Sequence, residues 1–96
     1  MRIEKMAVAG SLESNDVLVT VKPNEQLGRE IIIESIVEKQ YGETIRKVTE
    51  EVLNDFKIDH IYILIQDRGA LDCTLRARLE TVILRAQGGN KDDQNP

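Results

Sequence analysis

Few side chains in this sequence can do chemistry, and their spacing removes most of it. There is one histidine, His60, at the head of the run HIYILIQD. Without a Cys or Asp partner in register it reads as structural or solvent-facing, not as a base or ligand. The one cysteine, Cys73, stands near the start of a helix, where the dipole can lower a thiol's pKa. Its neighbours Leu71, Thr74 and Leu75 suit a small buried residue, and that reading takes precedence. No Cys/His spacing of metal-site type occurs. The glycines form neither G-x-G-x-x-G nor G-x-x-x-x-G-K-[ST]. Glu50-Glu51 and Asp92-Asp93 read as a solvated face and a tail, not as an acid/base pair. The chain has no catalytic constellation of its own.

What remains is the segment AGSLESND at 9–16, with hydroxyls at Ser11 and Ser14. One reading is a polar strand-to-strand connection in which Gly, Ser, Asn and Asp supply turn chemistry. The other is an exposed hydroxyl offered to a transferase for attachment of a group through a phosphodiester. Glu13 and Asp16 would not draw in a free anion, so a loop used this way is modified by another protein and does not bind a nucleotide. The residues by themselves support both readings.

The elements that must position this loop are legible from periodicity. KMAVA at 5–9 forms a short strand, and DVLVTVK at 16–22 alternates Val17, Val19 and Val21 against Leu18, Thr20 and Lys22, a strand with one face buried. Pro23 stops it, PNEQLG turns the chain, and a strand at 30–34 follows with three consecutive isoleucines. The period then changes. Val37, Tyr41, Ile45, Val48, Val52 and Phe56 make one helical face. The helix covers 43–57; Ser35 and Glu38 fit a capping box upstream, while Gly42 interrupts, leaving the start open. HIYILIQD at 60–67 reads as a buried strand, and Asp67-Arg68-Gly69 as a turn. A second helix starts near Asp72, taken as its N-cap, with Leu75, Leu79, Val82, Ile83 and Ala86 on one face and Gly88-Gly89 at its end. GGNKDDQNP has no apolar residue, and 89–96 is expected to be a disordered tail after a single domain at 1–88. The expected fold class is α/β (α+β): a two-layer sandwich of a small, mainly antiparallel sheet and two amphipathic helices, in the order β-β-β-α-β-α.

Bulk composition narrows the function. At 96 residues there is room for one modest core, and with aromatics at 3% that core must be aliphatic. A net charge of -4 and a pI near 5.0 argue against nucleic-acid binding. No stretch approaches a membrane span or the apolar part of a signal peptide, and a lone cysteine makes no internal disulfide, so the expected location is cytoplasmic.

Three segments, AGSLESND at 9–16, VEKQYG at 37–42 and RGALDCTLRARLE at 68–80, resemble the acyl carrier (γ) subunit family of citrate lyase, and the likeness runs to about Gly88. The resemblance implies a non-catalytic subunit of a multi-subunit enzyme of citrate fermentation. It implies that Ser14, not Ser11, bears 2′-(5″-phosphoribosyl)-3′-dephospho-CoA through a phosphodiester, with Gly10, Glu13 and Asp16 as flanking loop residues. The partners implied are the α (transferase) and β (lyase) subunits and a holo-carrier-forming transferase. The carrier would shuttle acetyl and citryl thioesters between the first two as citrate is cleaved to oxaloacetate and acetate. Cys73 then needs no reactivity, because the thiol belongs to the group. Phosphopantetheine carriers, by contrast, are helical bundles with a D-S-L motif, which this chain lacks. Arg76 and Arg78 read first as solvated helix residues; with Arg68, they are also candidates for contacting partner subunits or the group's phosphates. Two alternatives stay beside this reading: the analogous carrier of malonate decarboxylase, and an unmodified acidic adaptor.

Overall fold

The computed structural model describes residues 3–35 and 39–88. Four strands, β1 (Ala7–Gly10), β2 (Val17–Lys22), β3 (Arg29–Ser35) and β4 (Ile61–Asp67), form one sheet, with α1 (Lys39–Asp55) and α2 (Asp72–Ala86) placed as the sequence order predicts. The sheet order is β1-β2-β4-β3. Its first two pairings are antiparallel and the third, β3 with β4, is parallel, the two strands being joined through α1. Parallel neighbours need such a crossover, which is why a long helix falls between these two strands.

Register sets the core. Val19 pairs with Ala9 and Ile65, Val21 with Ile63, and Ile31 and Ile33 with Ile63 and Ile65, so the branched residues share the face that the helices cover. Against them pack Ile45, Val48, Val52 and Leu53 of α1 and the five α2 residues that the period singles out. β4 is central but buried on one face only: Ile61, Ile63, Ile65 and Asp67 are covered, whereas Tyr62, Leu64 and Gln66 are half-buried. The run that reads as a buried strand is therefore covered on one face, because both helices pack on the same side of the sheet.

Helix ends also differ from expectation. α1 starts before Gly42 and stops at Asp55, short of 57. Lys57 takes a left-handed conformation (φ 56°), while Ile58 N–H donates to the Leu53 carbonyl and Lys57 N–H to that of Asn54. That is a Schellman closure with lysine where glycine is usual. The residue that closes it, Ile58, is fully buried, and this tertiary contact offsets the cost that hides the stop from a sequence reading. Asp72 is not the N-cap of α2. Leu71 holds that place with extended backbone and no side-chain bond, and Asp72 is instead a first-turn acid facing the positive end of the helix dipole. At the other end, Glu4 and Lys5 N–H groups both donate to the Ala86 carbonyl, tying the first described residues to the end of α2. Val37, Glu38 and the tail at 89–96 lie outside the described residues.

Candidate functional site

The described parts of the three sequence segments singled out above lie toward one end of the sheet. β1 ends there, β2 begins there, β3 and β4 end there, and both helices start there. The β1–β2 connection closes with a tight turn in which Asp16 N–H donates to the Glu13 carbonyl at 3.1 Å, leaving Ser14 and Asn15 as its two central residues. Asn15 has φ 65°, the left-handed value that the third position of a type II turn demands and that Asn tolerates better than most residues. The limb returning to β2 is held by Arg68: Asn15 N–H donates to its carbonyl at 2.7 Å, and its own N–H donates to the Asp16 carbonyl at 2.9 Å. The outgoing limb is held by Ser11 N–H donating to the Val17 carbonyl.

The centre of this arrangement is the Asp16 carboxylate, which accepts four hydrogen bonds. Ser11 Oγ donates at 2.7 Å and Val17 N–H at 2.7 Å. Arg78, from α2, donates through Nε at 3.1 Å and Nη2 at 2.8 Å, one to each oxygen. First the Arg78 hydrogen bonds, then those from Ser11 and Val17, hold the carboxyl at about 2 against an ordinary 3.8. The sign follows. A depressed carboxyl contributes stability that is fully present above the unfolded value and is lost as pH falls through about 2. A carbon-detected NMR titration of Asp16 should therefore show its midpoint near 2, with the turn ordered at pH 4; a midpoint near 3.8 would mean the carboxylate stands free in solution.

Ser11 and Ser14 are thus unlike. Ser11 is half-buried and its hydroxyl is committed, donating to Asp16 and accepting from Glu13 N–H at 3.3 Å. Ser14 is exposed at the turn tip, and its hydroxyl makes no hydrogen bond among the described residues. Glu13 points to solvent. Gly10 has φ 95° and lies against the Val17 carbonyl, so the place of both in the loop is a backbone matter.

Behind the turn stands a second carboxylate, this one buried. Asp67 is 1% exposed and accepts from Ser35 Oγ at 3.0 Å, Gly69 N–H at 3.1 Å and Ala70 N–H at 3.0 Å. Tyr41, in α1, donates its hydroxyl to the Ala70 carbonyl; burial, then the nearby Asp72 and Asp67 charges, raises its pKa. The order of support runs from Tyr41 and Asp67 through the 67–70 turn to Arg68, and from Arg68 to the turn that carries Ser14. Asp67→Ala would leave the Gly69 and Ala70 N–H donors facing an apolar gap, and should cost about 2–3 kcal/mol in urea unfolding; no change in the midpoint would show that those donors are otherwise satisfied.

Periodicity places Tyr41 on a core face and Asp67 in a turn, but nothing local in the sequence joins them. Arg78, read first as a solvated helix residue, is the clamp on Asp16; Arg76 pairs with Glu51 at 2.7 Å on the surface, where such a pair is worth little. Arg68 reaches its neighbour's carbonyl at 3.2 Å. Cys73 is exposed, contrary to the buried reading, because it follows the helix start by one residue and faces away from the Leu75–Leu79 stripe. His60 is exposed and its Nδ1 accepts from Gly28 N–H at 2.8 Å, a structural role at the far end of the sheet. The shallow depressions lined by Lys22, Pro23, Asn24 and His60 lie at that far end too, away from Ser14. Among the described residues no three His, Cys, Asp or Glu side chains gather as metal ligands, and no helix is long and apolar enough to cross a membrane.

Comparison with known proteins places these observations. The family model described as ACP, malonate decarboxylase delta subunit (MdcD), matches residues 4–86. The citrate lyase acyl carrier protein of Serratia proteamaculans is 46% identical over 86 residues, covering 90% of this chain and 84% of that protein. That of Streptococcus mutans is 49% identical over 86 residues with the same shares, and that of Treponema denticola 44% identical with 97% of its length covered. Among solved structures, a chain of a Pseudomonas malonate decarboxylase hetero-tetramer in complex with malonate superposes with a TM-score of 0.72 at 20% identity, covering 88% of this chain and 86% of that one. At that identity the likeness is one of fold.

Proposed function

Since this chain belongs to the citrate lyase acyl carrier protein family, we propose that it is the acyl carrier subunit of a citrate lyase and that Ser14 is where its prosthetic group is attached. The observation that carries the proposal is the contrast between the two serines of the loop: Ser14 is exposed at the tip of a braced turn, with no hydroxyl bond among the described residues, whereas Ser11 is part of the brace.

The residues fit a phosphodiester-linked group. A hydroxyl acceptor must reach into the active site of another protein, and only a protruding turn lets it do so without unfolding. The one carboxylate at the base of that turn is paired with Arg78, so its charge is largely offset before a phosphodiester anion arrives beside it. In the attachment step Ser14 Oγ attacks phosphorus of a donor activated as a phosphoanhydride. A new P–O bond forms, the anhydride bond breaks with loss of the leaving phosphate, and the hydroxyl proton passes to a base of the attaching enzyme. Asp16 is no substitute for that base, since its carboxylate already accepts four hydrogen bonds from Ser11, Val17 and Arg78. Once attached, phosphoribosyl-dephospho-coenzyme A supplies the thiol that carries acyl groups as thioesters.

The chain itself contributes tethering. Carried on an exposed turn, an acyl group meets the transferase and lyase subunits at high effective concentration without release. Such a subunit works in the cytoplasm and catalyses nothing alone. The malonate decarboxylase reading has the family model's description and the superposed fold behind it; the identities of 46% and 49% to citrate lyase carriers favour the first. Intact-mass measurement of the chain from cells making the whole enzyme, with peptide mapping of 9–22, tests the carrier role. A bare chain would replace it with the adaptor, and the proteins that copurify separate citrate lyase from malonate decarboxylase.

A further inference from the structure

We propose that Arg78 is a positioning residue for modification at Ser14: by gripping both oxygens of Asp16 from a rigid helix, it holds the turn in the shape that the attaching enzyme accepts. This rests on the reading of Ser14 as the attachment point.

Among the described residues Ser14 has no side-chain bond, so the direction of its hydroxyl follows the backbone of the turn. Asn15 is left-handed at φ 65°, a value that Asn accepts but also leaves readily, so the turn keeps this shape through the contacts around it. Asp16, the next residue, is where the surroundings act. Arg78 is 62 residues away in sequence and is followed by fully buried Leu79, so its backbone is fixed by the core. Its planar fork matches the carboxylate, with Nε on one oxygen and Nη2 on the other, which fixes orientation as well as distance. Its aliphatic stem also runs over Gly10: a Cβ built there would sit 3.3 Å from Arg78 Cδ. One side chain therefore spans both limbs of the hairpin, the outgoing limb by packing and the returning limb by charge.

The consequence is kinetic. An apo chain whose turn is braced only part of the time presents a competent hydroxyl for that fraction of encounters, and its apparent affinity for the attaching enzyme falls by the same factor. Once bound in the correct shape it reacts at the ordinary rate. Loss of Arg78 should thus raise KM for the apo chain and leave kcat nearly untouched. A purely structural role would reduce the folded fraction and register in the melting transition instead.

The test is attachment in vitro, with purified apo chain, attaching enzyme and activated donor, followed by intact mass. Arg78→Gln should raise KM about tenfold, equivalent to a competent fraction of about one in ten, with kcat within about twofold. Arg78→Lys, which keeps the charge but reaches one oxygen at a time, should fall between wild type and Arg78→Gln. Amide exchange should quicken at Ser14–Asp16 but not in β4. Unchanged KM in Arg78→Gln, or a loss wholly in kcat, overturns the proposal; so does Arg78→Lys behaving like Arg78→Gln. If Arg78→Gln fails to fold, Asp16→Asn in the same assay decides, with the same KM rise expected. A wild-type chain never loaded in this assay rejects Ser14 attachment itself, which distinguishes failure of the carrier reading from failure of this one.

Discussion

Ser14→Ala should abolish attachment completely while leaving the fold intact. In the proposed reaction the Ser14 hydroxyl is the nucleophile, and no neighbouring group is placed to replace it. The only other hydroxyl in the loop, Ser11 Oγ, is half-buried and already donates to Asp16 at 2.7 Å. Ser14 touches nothing that its loss would orphan, and it does not need a left-handed backbone, so thermal stability should change by no more than about 0.5 kcal/mol. Ser11→Ala gives the opposite pattern: attachment persists, but one of the four bonds to Asp16 is lost and the turn is looser. Intact mass after incubation with the attaching enzyme reads both variants. Mass added to the Ser14→Ala chain, mapped to Ser11, would overturn the assignment of the two serines.

Gly10→Ala should be the most damaging single methyl in the chain. A Cβ at this position would lie 1.8 Å from the Val17 carbonyl oxygen, which accepts the Ser11 N–H bond that closes the hairpin. Gly10 also sits at φ 95°, outside the range that an L side chain adopts readily. The Val17 carbonyl cannot give way easily, because Val17 is fully buried and leads β2. Strain together with the backbone shift should cost about 3–4 kcal/mol in chemical denaturation. Attachment should fall as well, since the displaced limb carries the Ser11 brace. A Gly10→Ala chain with wild-type stability would mean that the hairpin end is free to move, and the account of the turn as a rigid presenter would fail. Gly42 is the useful control: it has open space around it and no left-handed backbone, so Gly42→Ala should be neutral or stabilising.

These two positions also mark how far a sequence can be read. Strands, helices and the buried α2 stripe Leu75, Leu79, Val82, Ile83 and Ala86 follow from period and branching, because burial on one face is imposed locally, residue by residue. The helix stop at Lys57 does not, since a left-handed lysine is unfavourable on its own and is held only by burying Ile58. Cys73 shows the reverse error: its apolar sequence neighbours suggested burial, but on a helix the residue beside a buried one points elsewhere, and Cys73 is exposed.

For the candidate site, composition and spacing alone offered no catalytic motif to follow, but they did yield an α+β sandwich and a polar loop at 9–16 ahead of a half-buried strand. The resemblance of three segments singled out Ser14. Only the tertiary structure decided why Ser14 and Ser11 differ, because that depends on which hydroxyl faces Asp16, and Asp16 is oriented by an arginine 62 residues away. Likewise Tyr41, Asp67 and Arg68 become one support only when two helix starts and two strand ends are brought to the same end of the sheet. Periodicity reports which side of an element is buried. It carries no information about which distant side chain completes a carboxylate, since that pairing is set by sheet order and register, and those are properties of the assembled fold.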